Sequence, residues 1–405
     1  MLKNICPEDE CTGCMACTGV CGHSAIEIIT NPLGFRYPKI DTEKCSDCGL
    51  CRRACPQLNR REFVESRECY AAAIKPDSEL LTCASGGAAT ALAVATIRRG
   101  GLVVGCSGED MRHVRHIAVE SIEELSLLKG SKYVQSEISA ELLRQIRHEL
   151  TTGREVLFIG TGCQTAGVRN FLMKPYENLT TVDLVCHGVP SQQMLDDNIA
   201  LYPGIDANSV KFREKRPKAN GACAIRFGWS ATTHSGKTIQ TSWYRDPYLA
   251  AFMDCISFRK GCYSCLYARP QRQSDLTVAD FWGLGKDSVL ANVCGVSLIL
   301  VNSDKGAERL TDAADLMQLE RRAVSEAVAG NGQLQRPSVL SAQRQKFIEL
   351  YLKNGFMSAV RATSFRPMLK KHLRQTYYYP MRTRISRMMP KNMKIFIKRI
   401  LNRYI

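Results

Sequence analysis

Two short stretches near the start of the chain repeat one spacing of cysteines. "CTGCMACTGVC" occupies positions 11–21 and "CSDCGLCRRAC" positions 45–55, and both read C-x2-C-x2-C-x3-C. An ordinary hydrophobic core needs no such density of thiols. The repeated spacing therefore constrains the fold of this segment more than any other feature of the sequence does.

Such a spacing is typical of ligands to cubane 4Fe-4S clusters. The two-residue gaps let one turn of chain present three thiolates, and in two-cluster ferredoxins the fourth ligand is the last cysteine of the other repeat. We therefore predict two clusters. The first has the ligands Cys11, Cys14, Cys17 and Cys55, and the second has Cys45, Cys48, Cys51 and Cys21.

Zinc is a poorer match to these stretches, because structural zinc sites use pairs of C-x2-C. Pro56 follows the second repeat as it does in ferredoxins, whereas Gly22 stands at that place in the first. Cys6 lies outside the pattern, and we interpret it as a spare thiol. Paired clusters predict a chain that passes single electrons between a partner and another group in the protein.

Length and composition predict a soluble protein of two or three domains. The chain has 405 residues, 19 of them cysteine, and no apolar run long enough to span a bilayer. Its start, "MLKNICPEDE", lacks the plan of a signal peptide. We therefore expect a cytoplasmic location, where cysteines serve as metal ligands or catalytic thiols rather than as disulfides.

Beyond the cysteine repeats, apolar runs alternate with helical stretches, which predicts an α+β fold. We divide the chain into a dicluster ferredoxin-type domain (1–62), the two parts of a mixed α/β flavin-binding catalytic domain (63–150 and 151–345), and a basic helical tail (346–405). "CYAAAI" and "GLVVGC" are predicted strands, with the helix "SGGAATALAVATIRR" between them. Ser85 is its predicted N-cap, and Gly86 and Gly87 open an anion site there or simply allow close packing.

Three further strands end in candidate ligands. If the strands are parallel, Cys163, Cys186 and Asp280 emerge at one edge of the sheet, where open α/β sheets bind ligands. Cys262 and Cys265 add a C-x2-C pair. These four cysteines predict a third 4Fe-4S site; a zinc site or a pair of loop thiols are the alternatives.

The remaining candidates are less specific. Six cysteines beside apolar runs are interpreted as small buried hydrophobes, namely Cys69, Cys83, Cys106, Cys223, Cys255 and Cys294. Cys255 is the one that could replace a member of the quartet. His187 is a proton donor or a hydrogen-bonded structural residue. Lys129, Lys132 and Tyr133 lie in a polar loop that suits phosphate or an electron-rich ring, or is solvated surface.

Taken in order, these stretches resemble the coenzyme F(420) hydrogenase/dehydrogenase β-subunit family over roughly residues 6–345. The resemblance rests on the dicluster head and on "SGGAATALA", "KGSKYVQS", "GTGCQTAGVRNFL", "DLVCHGVPS", "DPYLAAF", "CYSC" and "SDLTVADFWG". It implies an iron–sulfur flavoprotein that binds FAD and moves electrons between clusters and a two-electron substrate. Family sequences often have Ser at the place of Cys83 and Pro at the place of Gly162.

The resemblance also implies roles for individual residues. The flavin nucleotide would lie along Ser85, Gly86, Gly87, Lys132 and Tyr133, with Asp280 beside it, and the inner cluster would be held by Cys163, Cys186, Cys262 and Cys265. FAD itself would exchange the hydride, because a flavin handles both hydrides and single electrons. Lys132 and His187 would be electrostatic or protonating helpers.

The end of the chain is strongly basic. No Asp or Glu follows Glu349, whereas 14 Lys and Arg do, nearly all of the net charge of +16. From Met393 to Tyr404 the apolar residues follow one helical face, with basic residues around it. This pattern predicts a helix that docks on an anionic membrane surface or on a partner subunit, which would suit lipid-linked or surface-polysaccharide substrates.

These expectations favour a ferredoxin-linked flavin oxidoreductase that acts on a deazaflavin-type coenzyme or another small molecule and exchanges electrons with ferredoxin or a redox subunit. A non-catalytic electron-relay subunit is the alternative. A metal-bearing nucleic-acid binder is a third hypothesis, favoured only by the basic tail, and the apolar stripe of that tail argues against it.

Overall fold

A computed structural model describes residues 4–217, 223–364 and 369 of the chain. In chain order its strands are β1 (Ile26–Thr30), β2 (Arg36–Ile40), β3 (Glu68–Ile74), β4 (Leu102–Ser107), β5 (Arg115–Val119), β6 (Val156–Thr161), β7 (Leu179–Leu184), β8 (Ile205–Pro217), β9 (Cys223–Thr233), β10 (Thr238–Ser242), β11 (Leu276–Asp280), β12 (Ser297–Val301) and β13 (Met317–Arg322).

The helices fall between and after these strands. They are α1 (Ala16–Val20), α2 (Leu50–Ala54), α3 (Asp77–Thr82), α4 (Ala88–Arg98), α5 (Leu125–Leu128), α6 (Ala140–Thr151), α7 (Gly162–Phe171), α8 (Gln192–Ala200), α9 (Pro247–Met253), α10 (Asp304–Asp312), α11 (Val324–Gly330), α12 (Arg344–Asn354) and α13 (Phe356–Thr363). Short 3-10 helices cover Lys260–Ser264, Ala314–Leu316 and Gly332–Leu334. The predicted α+β character of the chain is confirmed.

A mixed eight-stranded sheet, in the order β13-β3-β12-β11-β7-β6-β4-β5, forms the centre of the molecule. Its strands β4, β6, β7 and β11 run parallel to one another. Both predicted parts of the catalytic domain, 63–150 and 151–345, contribute strands to this one sheet. The residues that follow β6, β7 and β11 therefore share one edge, as the sequence predicted.

The helix predicted between β3 and β4 is α4, which follows the short α3 and begins later than the sequence indicated. Gly87, with a φ of 81°, is the N-cap of α4, and the hydroxyl of Ser85 donates instead to the carbonyl of Val296 at 3.1 Å. The predicted N-cap at Ser85 is wrong because the chain first passes against the sheet. A Cβ at Gly86 would lie 2.1 Å from the carbonyl oxygen of Ala72, so only glycine fits this crossing.

The cysteine-rich segment packs against the helical face of the sheet. Ala16 and Ala54 are fully buried in one apolar cluster with residues of α6, β6 and α7. At Gly19 a Cβ would lie 2.8 Å from the side chains of Leu143 and Phe171. Small residues thus let this segment approach α6 and α7 closely.

A second core lies beside the three-stranded sheet β10-β9-β8, where Trp229, Phe212 and Tyr248 pack with α12 and α13. Phe347 and Val360 are fully buried there, so the first part of the predicted tail packs against the body. The predicted amphipathic helix from Met393 lies outside the described residues. Within the ranges that the structure describes, no helix is long and apolar enough to cross a membrane.

Candidate iron–sulfur site

The first predicted ligand set encloses a cavity. All four of its cysteines, Cys11, Cys14, Cys17 and Cys55, line this space together with Cys6. The N-terminal turn of α1 supplies Cys17, and the residue after α2 supplies Cys55, so the two repeats exchange ligands as a two-cluster ferredoxin requires. These four cysteines would be the ligands of a cubane in this cavity.

Cys6 is a fifth thiol at the same cavity, which the sequence analysis treated as spare. It hydrogen-bonds to Cys11 and Cys55, and these bonds are the main reason why the pKa of Cys11 falls to about 6 and that of Cys55 to about 7, while the pKa of Cys6 itself is raised. Since the thiolate is the form that binds iron, this network favours the ligand form of both residues.

The second predicted set gathers nearer the surface. Burial raises the pKa of Cys51, and the other thiols that raise it are Cys45, Cys21 and Cys48, the three expected partners. Two sulfurs accept backbone N–H bonds, from Ala25 to Cys21 at 3.3 Å and from Asp47 to Cys45 at 3.4 Å. Such N–H donors are among the features that set cluster potentials, and Cys48 is exposed to solvent.

The two ferredoxin sets lie next to each other. Burial raises the pKa of Cys17 well above its ordinary value, with further contributions from Cys14, Cys11, Cys55 and then Cys51 of the other set. In the described parts of the chain, no group of three or more His, Cys, Asp or Glu has the arrangement of a site for a single metal ion. The assignment of both sets therefore rests on the spacing and on this proximity of thiols.

The third predicted set is also assembled. The N-cap Thr161 and Gln164 close a capping box that starts α7, which fixes Cys163 in its first turn, and Cys186 follows β7. Cys262 lies in the 3-10 helix that Cys265 ends. Burial raises the pKa of Cys186, and Cys262, Cys163 and Cys265 contribute in that order. Three separate segments therefore bring four half-buried thiols together.

This inner quartet borders the first ferredoxin set. Burial raises the pKa of Cys14 to about 12, and Cys55 and Cys163 add to this, so a thiol of α7 acts on the first set. At Gly167 of α7 a Cβ would lie 2.9 Å from the sulfur of Cys14. The three sets of thiols thus form a continuous series from the exposed Cys48 to the half-buried inner quartet.

The predicted flavin residues lie along the same edge of the sheet. Lys132 is half-buried, and its ammonium donates to the carbonyls of Cys106, Leu128 and Lys129 at 2.8–3.0 Å. Burial lowers its pKa to about 8. The ring of Tyr133 is enclosed by three phenylalanines, Phe212, Phe227 and Phe252, at centroid distances of 5.0–5.8 Å.

Two basic residues of β8 that the sequence analysis missed complete this edge. Arg213 makes a two-point ion pair with Asp280 at 2.6 and 3.0 Å and also bonds to Tyr133. Lys215 donates to the carbonyls of Leu80, at 2.7 Å, and Ser85. Burial lowers the pKa of Lys215 to about 8. The alternation of basic residues in "VKFREKRP" was the available signal.

His187, the residue after Cys186, has partners at both of its ring nitrogens. Its Nδ1 is 2.8 Å from the side-chain amide of Gln333, and its Nε2 is 3.5 Å from the sulfur of Cys255. Phe252 and Phe258 pack against the ring at 5.2 and 5.4 Å. Cys255 therefore contacts His187, the residue that follows Cys186 in the sequence.

The other cysteines follow the prediction only in part. Cys69 and Cys83 are buried as expected, while Cys106 and Cys255 are half-buried. Cys223 and Cys294 form a disulfide, with their Cα atoms 5.3 Å apart, so their interpretation as plain hydrophobes is wrong. They are 71 positions apart, and only the packing of β9 against the loop before β12 brings them together.

Comparison with known protein families gives matches to two separate parts of the chain. Residues 153–327 match the family model for the C-terminal part of the beta subunit of coenzyme F(420) hydrogenase/dehydrogenase, and residues 10–59 match a 4Fe-4S dicluster domain. The resemblance inferred from the sequence is thereby confirmed. No curated protein matches the chain.

Among solved structures, the chain is similar to one from the F(420)-reducing NiFe hydrogenase complex of Methanosarcina barkeri. The two share 18% sequence identity with a TM-score of 0.45, over 74% of this chain and 92% of the other.

Proposed function

We propose that the chain is a flavin-dependent iron–sulfur oxidoreductase. The proposal is supported by the match of residues 153–327 to the family model for the C-terminal part of the coenzyme F(420) hydrogenase/dehydrogenase beta subunit and by the match of residues 10–59 to a 4Fe-4S dicluster domain. Single electrons would pass through 4Fe-4S clusters to or from FAD. FAD would exchange a hydride with a deazaflavin-type coenzyme or another reducible small molecule.

The observation that carries this proposal is the inner quartet. Four half-buried thiols from three segments converge beside Cys14, and no role in a hydrophobic core explains their meeting. A third cluster held there would continue the series of the two ferredoxin sets. The exposed Cys48 then marks the edge where ferredoxin or a redox subunit would dock, because electron transfer requires close approach.

The opposite end of the series supports a flavin. Ser85, Gly86, Gly87 and Asp280 lie beside two cations, Arg213 and Lys215, and Tyr133 adds a ring in contact with Arg213. Two cations next to a backbone crossing of glycines suit the diphosphate of a dinucleotide. FAD bound here would supply hydride chemistry, while Lys132, with its lowered pKa, and His187 would hold or move a proton nearby.

The first test is anaerobic purification with iron, sulfide and flavin analysis and electron paramagnetic resonance (EPR) spectra. We expect about twelve irons and one FAD per chain, because three cubanes hold four irons each. Cys265→Ser should lower the iron to about eight and keep FAD, whereas the buried Cys69→Ser, which lies in β3, serves as the matched control and should change neither. About eight irons in the unmodified chain would exclude the inner cluster. Absence of FAD after reconstitution would leave an electron-relay subunit.

A second test locates the flavin. Lys215→Met should reduce the FAD content per chain, because it removes a cation beside Ser85. Lys211→Met is the matched control, since Lys211 lies on the same strand and is exposed. Equal FAD contents in the two variants would place the flavin elsewhere.

A further inference from the structure

Arg259 is a fully buried arginine between the first ferredoxin set and the inner quartet. Its guanidinium donates to the carbonyls of Cys11 and Arg36 at 2.7 and 2.8 Å and to the side-chain oxygen of Gln135 at 3.0 Å. It lies over the ring of Tyr37, with its Cζ 4.1 Å from the ring centroid. These bonds fix the group in one orientation.

The charge of this group lacks an anionic partner of the usual kind. Among residues 4–217 and 223–364, no carboxylate forms an ion pair with Arg259, whereas Arg272, an arginine with 2% exposure, pairs with Asp183. A guanidinium remains protonated in proteins, and a buried charge without a counterion is strongly unfavourable. The neighbourhood of Arg259 is therefore expected to hold an anion.

The groups nearest to it are candidate cluster ligands. One guanidinium nitrogen is 3.6 Å from the sulfur of Cys11. The same charge acts on the inner quartet, where it opposes the rise in the pKa of Cys163 and Cys262 that burial and the neighbouring Cys265 cause. A cubane held by four thiolates is a net anion and becomes more negative on reduction, so a fixed cation stabilises its reduced form.

We propose that Arg259 is a positioning residue that raises the reduction potential of the buried cluster at Cys11 above that of the exposed cluster at Cys48. An electron shared by the two ferredoxin clusters then resides on the buried cluster at Cys11. The exposed cluster at Cys48 loses one electron, the buried cluster gains it, and no proton moves. This inference rests on the proposed function, because it requires both clusters to be present.

The test is an anaerobic redox titration of the full chain followed by EPR. Cys48→Ser identifies the signal of the exposed cluster. Arg259→Met should lower the equilibrium constant for reduction of the buried cluster at least tenfold, which is a fall of 59 mV in its reduction potential for a one-electron couple. The potential of the exposed cluster should not change. Arg259→Lys, which keeps the charge, should recover more than half of this shift.

Arg344→Met is the matched control. Arg344 is also buried, donates to the carbonyl of Ile256 and lies over a tyrosine ring at 4.7 Å, but no ferredoxin thiol is its partner. It should leave the potential of the buried cluster unchanged. Equal potentials in Arg259→Met and the unmodified chain, or a similar shift in Arg344→Met, would overturn the proposal.

The unmodified chain gives a second measurement that does not depend on a variant that folds. Burial alone makes an anionic cluster harder to reduce, so without Arg259 the buried cluster would have the lower potential. We expect the opposite order, and a lower potential for the buried cluster would refute the role of Arg259. Iron and sulfide analysis of the same sample separates this outcome from a failure of the proposed function, which would show as missing clusters.

Discussion

The buried ion pair between Asp183 and Arg272 should be the most sensitive point of the inner site. Asp183 belongs to β7, three residues before Cys186, and Arg272 follows Cys265 by seven. The exposed fractions of their side chains are 3% and 2%. Arg272 also donates to the carbonyls of Tyr267 and Arg269 and to the hydroxyl of Thr277. The pair thus ties two of the three segments that carry the quartet.

Asp183→Asn removes the negative charge and leaves the guanidinium buried. Breaking a buried ion pair from one side costs about 3–5 kcal/mol of stability. We expect the lower end, about 3 kcal/mol, because the three hydrogen bonds of Arg272 to neutral acceptors remain. At roughly 2–4 °C per kcal/mol for a domain of 150–250 residues, the melting temperature should fall by about 6–12 °C.

The assay is thermal unfolding under anaerobic conditions at one scan rate, with iron content matched between samples. Asp304→Asn is the control, because its ion pair with Arg67 is exposed and such pairs contribute about 0–1 kcal/mol. The double variant Asp183→Leu with Arg272→Met should lose less stability than Asp183→Asn does, since no unpaired charge remains. If the melting temperature of Asp183→Asn falls no further than that of the control, the reasoning about this buried pair is wrong.

Three other predictions concern single residues, and a fourth concerns the tail. Gly86→Ala should lower the melting temperature and the FAD content, because its Cβ would meet backbone atoms of β3 and β12. Gly332→Ala is the control and should change neither, because a Cβ at Gly332 has no neighbour within 4 Å. Burial lowers the pKa of His116 to about 4, so its contribution to stability disappears as the pH falls from 6.5 towards 4. His116→Gln should therefore lose less stability than the unmodified chain on acidification, measured as the urea midpoint of unfolding. Burial raises the pKa of Asp246 to about 6, so its contribution disappears as the pH rises from 4 through 6, and Asp246→Asn should remove that decline. Deletion of residues 365–405 should abolish sedimentation with anionic liposomes; unchanged sedimentation would contradict the membrane role of the tail.

Sequence reasoning succeeded where the information is local or periodic. The spacing of the cysteine repeats specifies which thiols can meet, and the structure places Cys21 beside Cys51 as the repeat required. The inner quartet could be anticipated because two of its members follow apolar runs, which become strands β6 and β7 with parallel carboxyl ends. Neither inference needed knowledge of distant contacts.

The residues that were misinterpreted or missed depend on contacts between distant parts of the chain. Ser85 resembles an N-cap in its local sequence, but the sheet crossing at Gly86 directs its hydroxyl to Val296, 211 positions away. Arg259 contacts Cys11 across 248 positions. No local pattern distinguishes such an arginine from a solvated one, because its function is defined by what surrounds it.

The close packing of the ferredoxin-type segment on α7 bears on how the chain works. Electron transfer between clusters depends on their separation, and a segment that docks transiently would vary it. Here the two parts are closely packed, since a Cβ at Gly167 would lie 2.9 Å from Cys14 and a Cβ at Gly19 would lie 2.8 Å from Phe171. Arg259, which bonds to the Cys11 loop and is followed by Cys262, joins the same two parts from the other side. The proposed electron route therefore lies within one chain, with Cys48 at the exposed end that a redox partner would reach.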